Sequence, residues 1–214
     1  MKKSYLFVIF LMLVHISVIP SIGQKIEKLS SSKTSSLPDK LREIGDYFGC
    51  YFTLETALLS GDISNSLEGH RVTTKRNVGT LSNALDQLRI SVPNFAYKFD
   101  RFNSKIVYIY DNRLLRKKDY PLESTVGEIR FNGTAIELVQ VLAKRGIELT
   151  SYGPQSSTEL GTENITAALH IRATRVNVRD LITNSLPLKN RGRLLWIART
   201  ELIGNQKTFV RFRR

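Results

Sequence analysis

The stretch Thr80–Asp111, TLSNALDQLRISVPNFAYKFDRFNSKIVYIYD, decides how the chain reads. Leu81, Leu85 and Leu88 fall on one helical face, behind a threonine whose hydroxyl suits a helix N-cap. Pro93 ends that helix, because proline lacks the N–H that a helix interior needs. Phe95, Tyr97 and Phe99 then alternate as on one face of a strand, and IVYIYD is rich in β-branched and aromatic residues. The polar Asn103–Ser104 step between the two runs predicts a hairpin.

Upstream, Leu37–Pro38 opens a helix in which Leu37, Leu41, Ile44, Tyr47 and Phe48 recur at helical spacing. Gly49 stops it, and CYFTLE reads as a strand. Residues 60–70 are turn-rich, and RVTTKRN reads as a short, charged strand. Downstream, residues 113–124 read as a basic connector, after which the pattern restarts. GEIRFNG is a strand and Thr134 caps a helix carrying Ile136, Val139, Leu142 and Ala143, with Gly146 as its stop. IELTSY and ITAALHIRAT are strands around a loop, VNVRDLITNSLPL is a helix, and RGRLLWIARTEL is a closing strand or hairpin partner. Helix, Gly, strand, loop, strand, helix and strand therefore occur twice. The expected fold class is α+β, as two tandem small units (37–112 and 125–204), each with two helices packed on a small mixed β-sheet. Residues 205–214 read as a basic aromatic tail.

The N-terminus has the parts of a secretory signal: Lys2 and Lys3, an apolar run, then Ser21-Ile22-Gly23. Residues 1–23 are expected to be removed and the Ser-rich residues 24–36 to form a flexible linker. Losing Lys2 and Lys3 leaves 30 basic residues against 19 acidic ones, a charge of +11. Such a charge favours acidic partners, and it also serves solubility. No later stretch reaches the roughly 18 apolar residues of a membrane-spanning helix. Cys50 is the only cysteine, so no intramolecular disulfide forms and the core must hold the fold.

No Gly-rich nucleotide loop, HExxH or GxSxG pattern occurs. Cys50, His70 and His170 are too few and too separated for a zinc site, and no cofactor is expected. The basic residues form groups. Lys75 and Arg76 make one, Arg113, Arg116, Lys117 and Lys118 a second, and Lys207, Arg211, Arg213 and Arg214 a third. They read either as solvated surface and edge protection or as a docking patch for an acidic partner.

The run LPDKLREIGDYFGCYFTLE, then TLSNALDQL, NFAYKF and KIVYIYD, resembles the short N-terminal domain of secretins and TonB-dependent receptors. Leu37, Leu41, Gly49, Phe52, Ala84, Leu85, Leu88, Tyr97, Ile106 and Ile109 stand at the matching places. Phe131, Leu138, Leu142, Gly146, Leu181, Ile182, Trp196 and Ile197 repeat the likeness in the second half. In that family a barrel or channel follows; with Arg214 the last residue read, none is expected here. The resemblance implies a periplasmic module that docks other proteins. The expected function is an exported, non-enzymatic protein–protein interaction module of the bacterial cell envelope, serving uptake, secretion or signalling. The alternatives are a binder of an acidic envelope polymer and a small Cys50-dependent hydrolase. Export argues against nucleic acid as the partner.

Overall fold

The computed structural model describes residues 34–59, 63–73, 79–151, 168–186, 188, 192–203 and 207–212. The expected signal sequence, all but the last residues of the linker, Lys75 and Arg76, and Arg213 and Arg214 lie outside them. In chain order the first half forms β1 (Ser35–Ser36), α1 (Leu37–Phe48), β2 (Tyr51–Leu58), β3 (Arg71–Val72), α2 (Leu81–Ser91), β4 (Phe95–Phe99) and β5 (Ile106–Asp111). Two 3-10 turns follow, Leu114–Arg116 and Pro121–Glu123, then β6 (Thr125–Val126), β7 (Ile129–Gly133), α3 (Ala135–Lys144) and β8 (Leu149–Ser151). The second half closes with β9 (Leu169–Ala173), β10 (Val176–Asn177), α4 (Val178–Ser185), β11 (Leu194–Glu201) and β12 (Thr208–Phe212).

The helix ends follow from local chemistry. The Ser36 hydroxyl accepts from the Asp39 N–H at the start of α1, and Thr80 does the same for Asn83 in α2. Thr134 and Glu137 form a reciprocal capping box on α3, and the Asn177 side chain caps α4. Gly49 ends α1 at φ 70°, a left-handed conformation that a side chain would strain. Gly45, inside α1, lies against the residue that leads into β11: a Cβ there would come within 2.5 Å of the Arg193 side chain.

The fold is α+β, with four helices among the described residues and mixed sheets. The main sheet has six strands in the order β4-β5-β2-β11-β12-β8. Both halves enter it. β2 and β11 pair in parallel at its centre, with Ile197 opposite Leu54. On one side of that seam β5 is parallel to β2 and β4 antiparallel to β5. On the other, β12 is antiparallel to β11 and parallel to β8. A two-stranded ribbon accompanies each half, β1–β3 and β7–β9, both antiparallel. A third short ribbon joins β6 and β10.

The sheet is covered on both faces. One core packs α1 and α2, through Leu37, Leu41, Ile44, Leu85 and Leu88, against Phe52, Leu54, Val107, Ile109 and Ile197. The other packs α3 and α4, through Leu138, Leu142, Leu181 and Ile182, against Ala57, Trp196, Ala198, Val210 and Phe212. β2 therefore has no solvent face, and seven of its eight residues are buried. That is the habit of a strand inside a parallel sheet, which reads as a near-continuous apolar run rather than an alternation. A register shift between Leu194 and Trp196 acts as a bulge, turning both Leu195 and Trp196 toward the second core.

Two segments do more than their labels say. Residues 113–124 are more than a connector: Leu114, Tyr120 and Leu122 are buried in the second core. Within residues 205–214, the basic aromatic tail whose alternating Phe209, Val210 and Phe212 also fit a strand, Thr208–Phe212 form β12, an interior strand between β11 and β8. Val210 and Phe212 alternate into the core, so burial of one strand face accounts for that aromatic–basic pattern.

Candidate functional site

The basic candidates are dispersed. Arg113 is committed to Asp111, its own near neighbour: Nε and Nη2 reach the Asp111 carboxylate at 2.9 and 2.6 Å. Those hydrogen bonds raise the Arg113 pKa further, against its partial burial. Arg116 and Lys118 are exposed, whereas Lys117 is half-buried. Burial disfavours the charged Lys117 ammonium, and Glu148 partly offsets that. Lys207 is exposed and shares a recess of about 360 Å³ with Glu148 beside β8. Arg211 is half-buried on β12, opposite Ile197 of β11. Cys50 sits in the first core with 3% exposure, and burial pushes its thiol up to about 11. A thiol so protonated at neutral pH is a poor nucleophile. His170 is exposed and shares a hydrogen bond with Asn132 at 2.9 Å. Among the described residues, no three His, Cys, Asp or Glu side chains gather as metal ligands. Nor, among them, is any helix long and apolar enough to cross a membrane.

The polar chemistry collects elsewhere, at a cleft of about 660 Å³ where the two halves meet. The first half supplies Lys98 and Phe99 from β4, Arg101 and Phe102 from the hairpin turn, and Tyr108 from β5. Glu123 and Thr125 come from the segment between the halves. The second half supplies the Ala173–Asn177 turn and Arg179 and Asp180 at the start of α4.

Its floor is a buried ion pair. Arg179 is 1% exposed and Glu55, in the middle of β2, is fully buried. Arg179 Nε and Nη2 both donate to the Glu55 carboxylate, the second at 2.7 Å, a bidentate arrangement. Arg179 Nη1 donates to Glu123 Oε1 at 2.5 Å, and the Tyr120 hydroxyl donates to Glu55 Oε2 at 3.0 Å. Burial alone would lower the Arg179 pKa; Glu55 and Glu123 outweigh it and hold the guanidinium charged. Burial would likewise raise the Glu123 carboxyl, but Arg179, Lys98 and Asn177 pull it below its ordinary range. Tyr120 is pushed far up, by burial first and then by the Glu55 charge.

A second cluster closes one side. The Tyr108 hydroxyl lies 2.5 Å from Asp100 Oδ2 and 3.0 Å from Asp180 Oδ1. A phenol has one proton, so the shorter contact takes it. Burial and the two carboxylates push Tyr108 well above the usual phenol range. Asp100 is itself fixed, since its Oδ1 accepts from the Phe102 and Asn103 N–H groups at 2.8 and 2.7 Å. The arrangement is a rigid, hydrogen-bonded floor under a rim of cations and exposed aromatics. It can bind and orient a charged group.

Local spacing could not reveal this floor, because Glu55 and Arg179 stand 124 residues apart. The one sequence signal is an acid inside the apolar run CYFTLETAL, where an unpaired carboxylate would be costly. Comparison with family models, curated proteins and solved structures finds no match for this chain.

Proposed function

We propose that this chain is an exported, non-enzymatic interaction module of the bacterial cell envelope that docks an extended segment of another protein on the free edge of β4. β4 ends the six-stranded sheet, and among the described residues no strand pairs with its outer side. The Asn112 N–H bonds to Asn94 O and the Asp100 N–H to Ile106 O. Alternation along an antiparallel ladder then turns the N–H and C=O groups of Tyr97 and Phe99 outward. That open edge is the observation that carries the reading. An open edge is a template for strand addition; Lys98 on β4 guards it against apolar strands while leaving its outward N–H and C=O groups free. Phe99 and Phe102 beside it are 41% and 82% exposed.

The architecture supports a tandem origin. Each half contributes a leading strand, a helix, a sheet strand, a ribbon strand, a second helix and a closing hairpin. The two sets keep the same strand order, β4-β5-β2 and β11-β12-β8. We read this as two small units fused edge to edge, with their helices on opposite faces. The likeness to the secretin and TonB-receptor N-terminal domain agrees with a docking role. The apolar run behind Lys2 and Lys3 supports export to the periplasm.

A photo-reactive residue in place of Phe99 tests the docking reading. It should give a discrete crosslinked partner in the envelope fraction, and the same probe at Thr150 on the opposite edge strand should not. Equal adducts from both edges, or none from Phe99, would overturn it. The mass of the exported protein should match a chain beginning near Gln24.

A further inference from the structure

We propose that the cleft beside β4 is a carboxylate pocket, so that the segment docking there is acidic: a strand whose Glu or Asp side chain enters between Lys98, Arg101 and Arg175. The proposal rests on the edge-docking reading and adds its specificity. Strand addition alone is sequence-tolerant, since its bonds are to main chain; selectivity comes from pockets for alternate side chains.

The pleat places the pocket. On β4, Phe95 and Tyr97 pack with the first core, so Ala96 and Lys98 face the other side, with Lys98 opposite Tyr108. Every second side chain of an added strand therefore projects to the cleft side, next to Lys98. The cleft and its buried floor carry four cations and four acids, but the two signs are used differently. Glu55 and Glu123 are taken by Arg179, and Asp100 by Tyr108 and two backbone N–H groups. Asp180, 3.0 Å from the same phenol, receives no proton from it and stays an acid on the cleft wall. Among the described residues, Arg101 and Arg175 have no acid within ion-pair distance, and both are exposed. Lys98 reaches Glu123 only at 3.7 Å. The donor capacity left over lies at the mouth, where an incoming carboxylate would meet it first.

Arg175 supplies an independent argument. Its φ is 54°, a left-handed conformation in which glycine is unstrained and arginine is not. A strained backbone held at a cleft points to a use for the side chain that occupies it. Here that side chain is a guanidinium on the cleft wall. Phe99 and Phe102 flank the same mouth and would cover the apolar stem of the entering residue.

The test uses the mature full-length chain and three blocked eight-residue peptides, titrated by calorimetry. One alternates Thr and Glu, one alternates Thr and Gln, and one is the Thr/Glu peptide with alternate backbone nitrogens methylated. Charge-assisted bonds predict that the Thr/Glu peptide binds about 10- to 100-fold tighter than the Thr/Gln peptide. Methylation should weaken it comparably. Arg175→Gly should lose most of that preference while melting at the same or a higher temperature, which a merely structural arginine would not do. Arg101→Gln should lose part of it. Equal binding of the Glu and Gln peptides, both abolished by methylation, would overturn the pocket and leave edge docking standing. Methylated and unmodified Thr/Glu peptides binding equally would overturn edge docking instead. No peptide binding at millimolar concentration, with a glycerol-phosphate polymer bound through Arg175, would overturn both in favour of a polymer ligand.

Discussion

Arg179 and Glu55 tie the second half's α4 to the first half's β2 across the seam, and their removal should be strongly non-additive. Arg179→Met strips Glu55 of its cation. Glu55 stays at 0% exposure with only the Tyr120 hydroxyl for a partner. Breaking a buried pair from one side costs about 3–5 kcal/mol, and three charge-assisted bonds disappear here, so the upper end is expected. Glu55→Leu leaves Arg179 its bond to Glu123, so the lower end, about 3 kcal/mol, is expected. The double variant buries no orphaned charge and should return to within about 2 kcal/mol of the parent. The coupling energy should then exceed about 3 kcal/mol. Urea unfolding reads this directly. Trp196 is the only tryptophan and is fully buried in the second core, so its fluorescence reports that core while circular dichroism reports the whole chain. If each single variant costs less than about 1 kcal/mol, or the double variant equals the sum of the singles, the pair is not the tie described.

Thr53 lies on β2 with its hydroxyl buried and, among the described residues, without a hydrogen-bond partner, so Thr53→Val should raise stability by about 1–2 kcal/mol in the same urea experiment. Glu123 binds its proton less readily in the folded chain than its ordinary value of 4.5. Its contribution is therefore present above about pH 4.5 and is lost as the pH falls through its lower folded value. Glu123→Gln should flatten that part of the stability–pH curve, measured by thermal melting. Cys50 should react with a thiol reagent only as the chain unfolds, because it is buried with its thiol held near 11; fast stoichiometric labelling of the native protein would contradict its place in the first core.

Sequence periodicity reached the helices because each carries its own punctuation. Thr80, Thr134 and Gly49 are capping residues acting within a few positions of themselves. Strands were found too, but not their neighbours. Alternation of Val210 and Phe212 says that one face of a strand is buried, and nothing about which strand lies alongside. A segment expected to be a tail is thus an interior strand. The same limit hid the shared sheet, since the parallel pairing of β2 with β11 joins residues more than 130 positions apart. Arg113 reads in the sequence as a partner-binding candidate or as surface charge, whereas Asp111, two residues before it, is the partner that occupies it. The cleft was the least legible feature. Its acids and cations come from four separated segments, and only the fold brings them together.

Edge docking on β4 is the claim on which the functional account depends, and backbone hydrogen exchange tests it residue by residue. In the free chain the amides of Tyr97 and Phe99 face outward, while those of Ala96 and Lys98 bond to β5. Saturation with the Thr/Glu peptide should slow exchange at Tyr97 and Phe99 by about ten-fold or more and leave Ala96 and Lys98 as protected as before. Unchanged exchange at Tyr97 and Phe99 under saturating peptide would contradict the account.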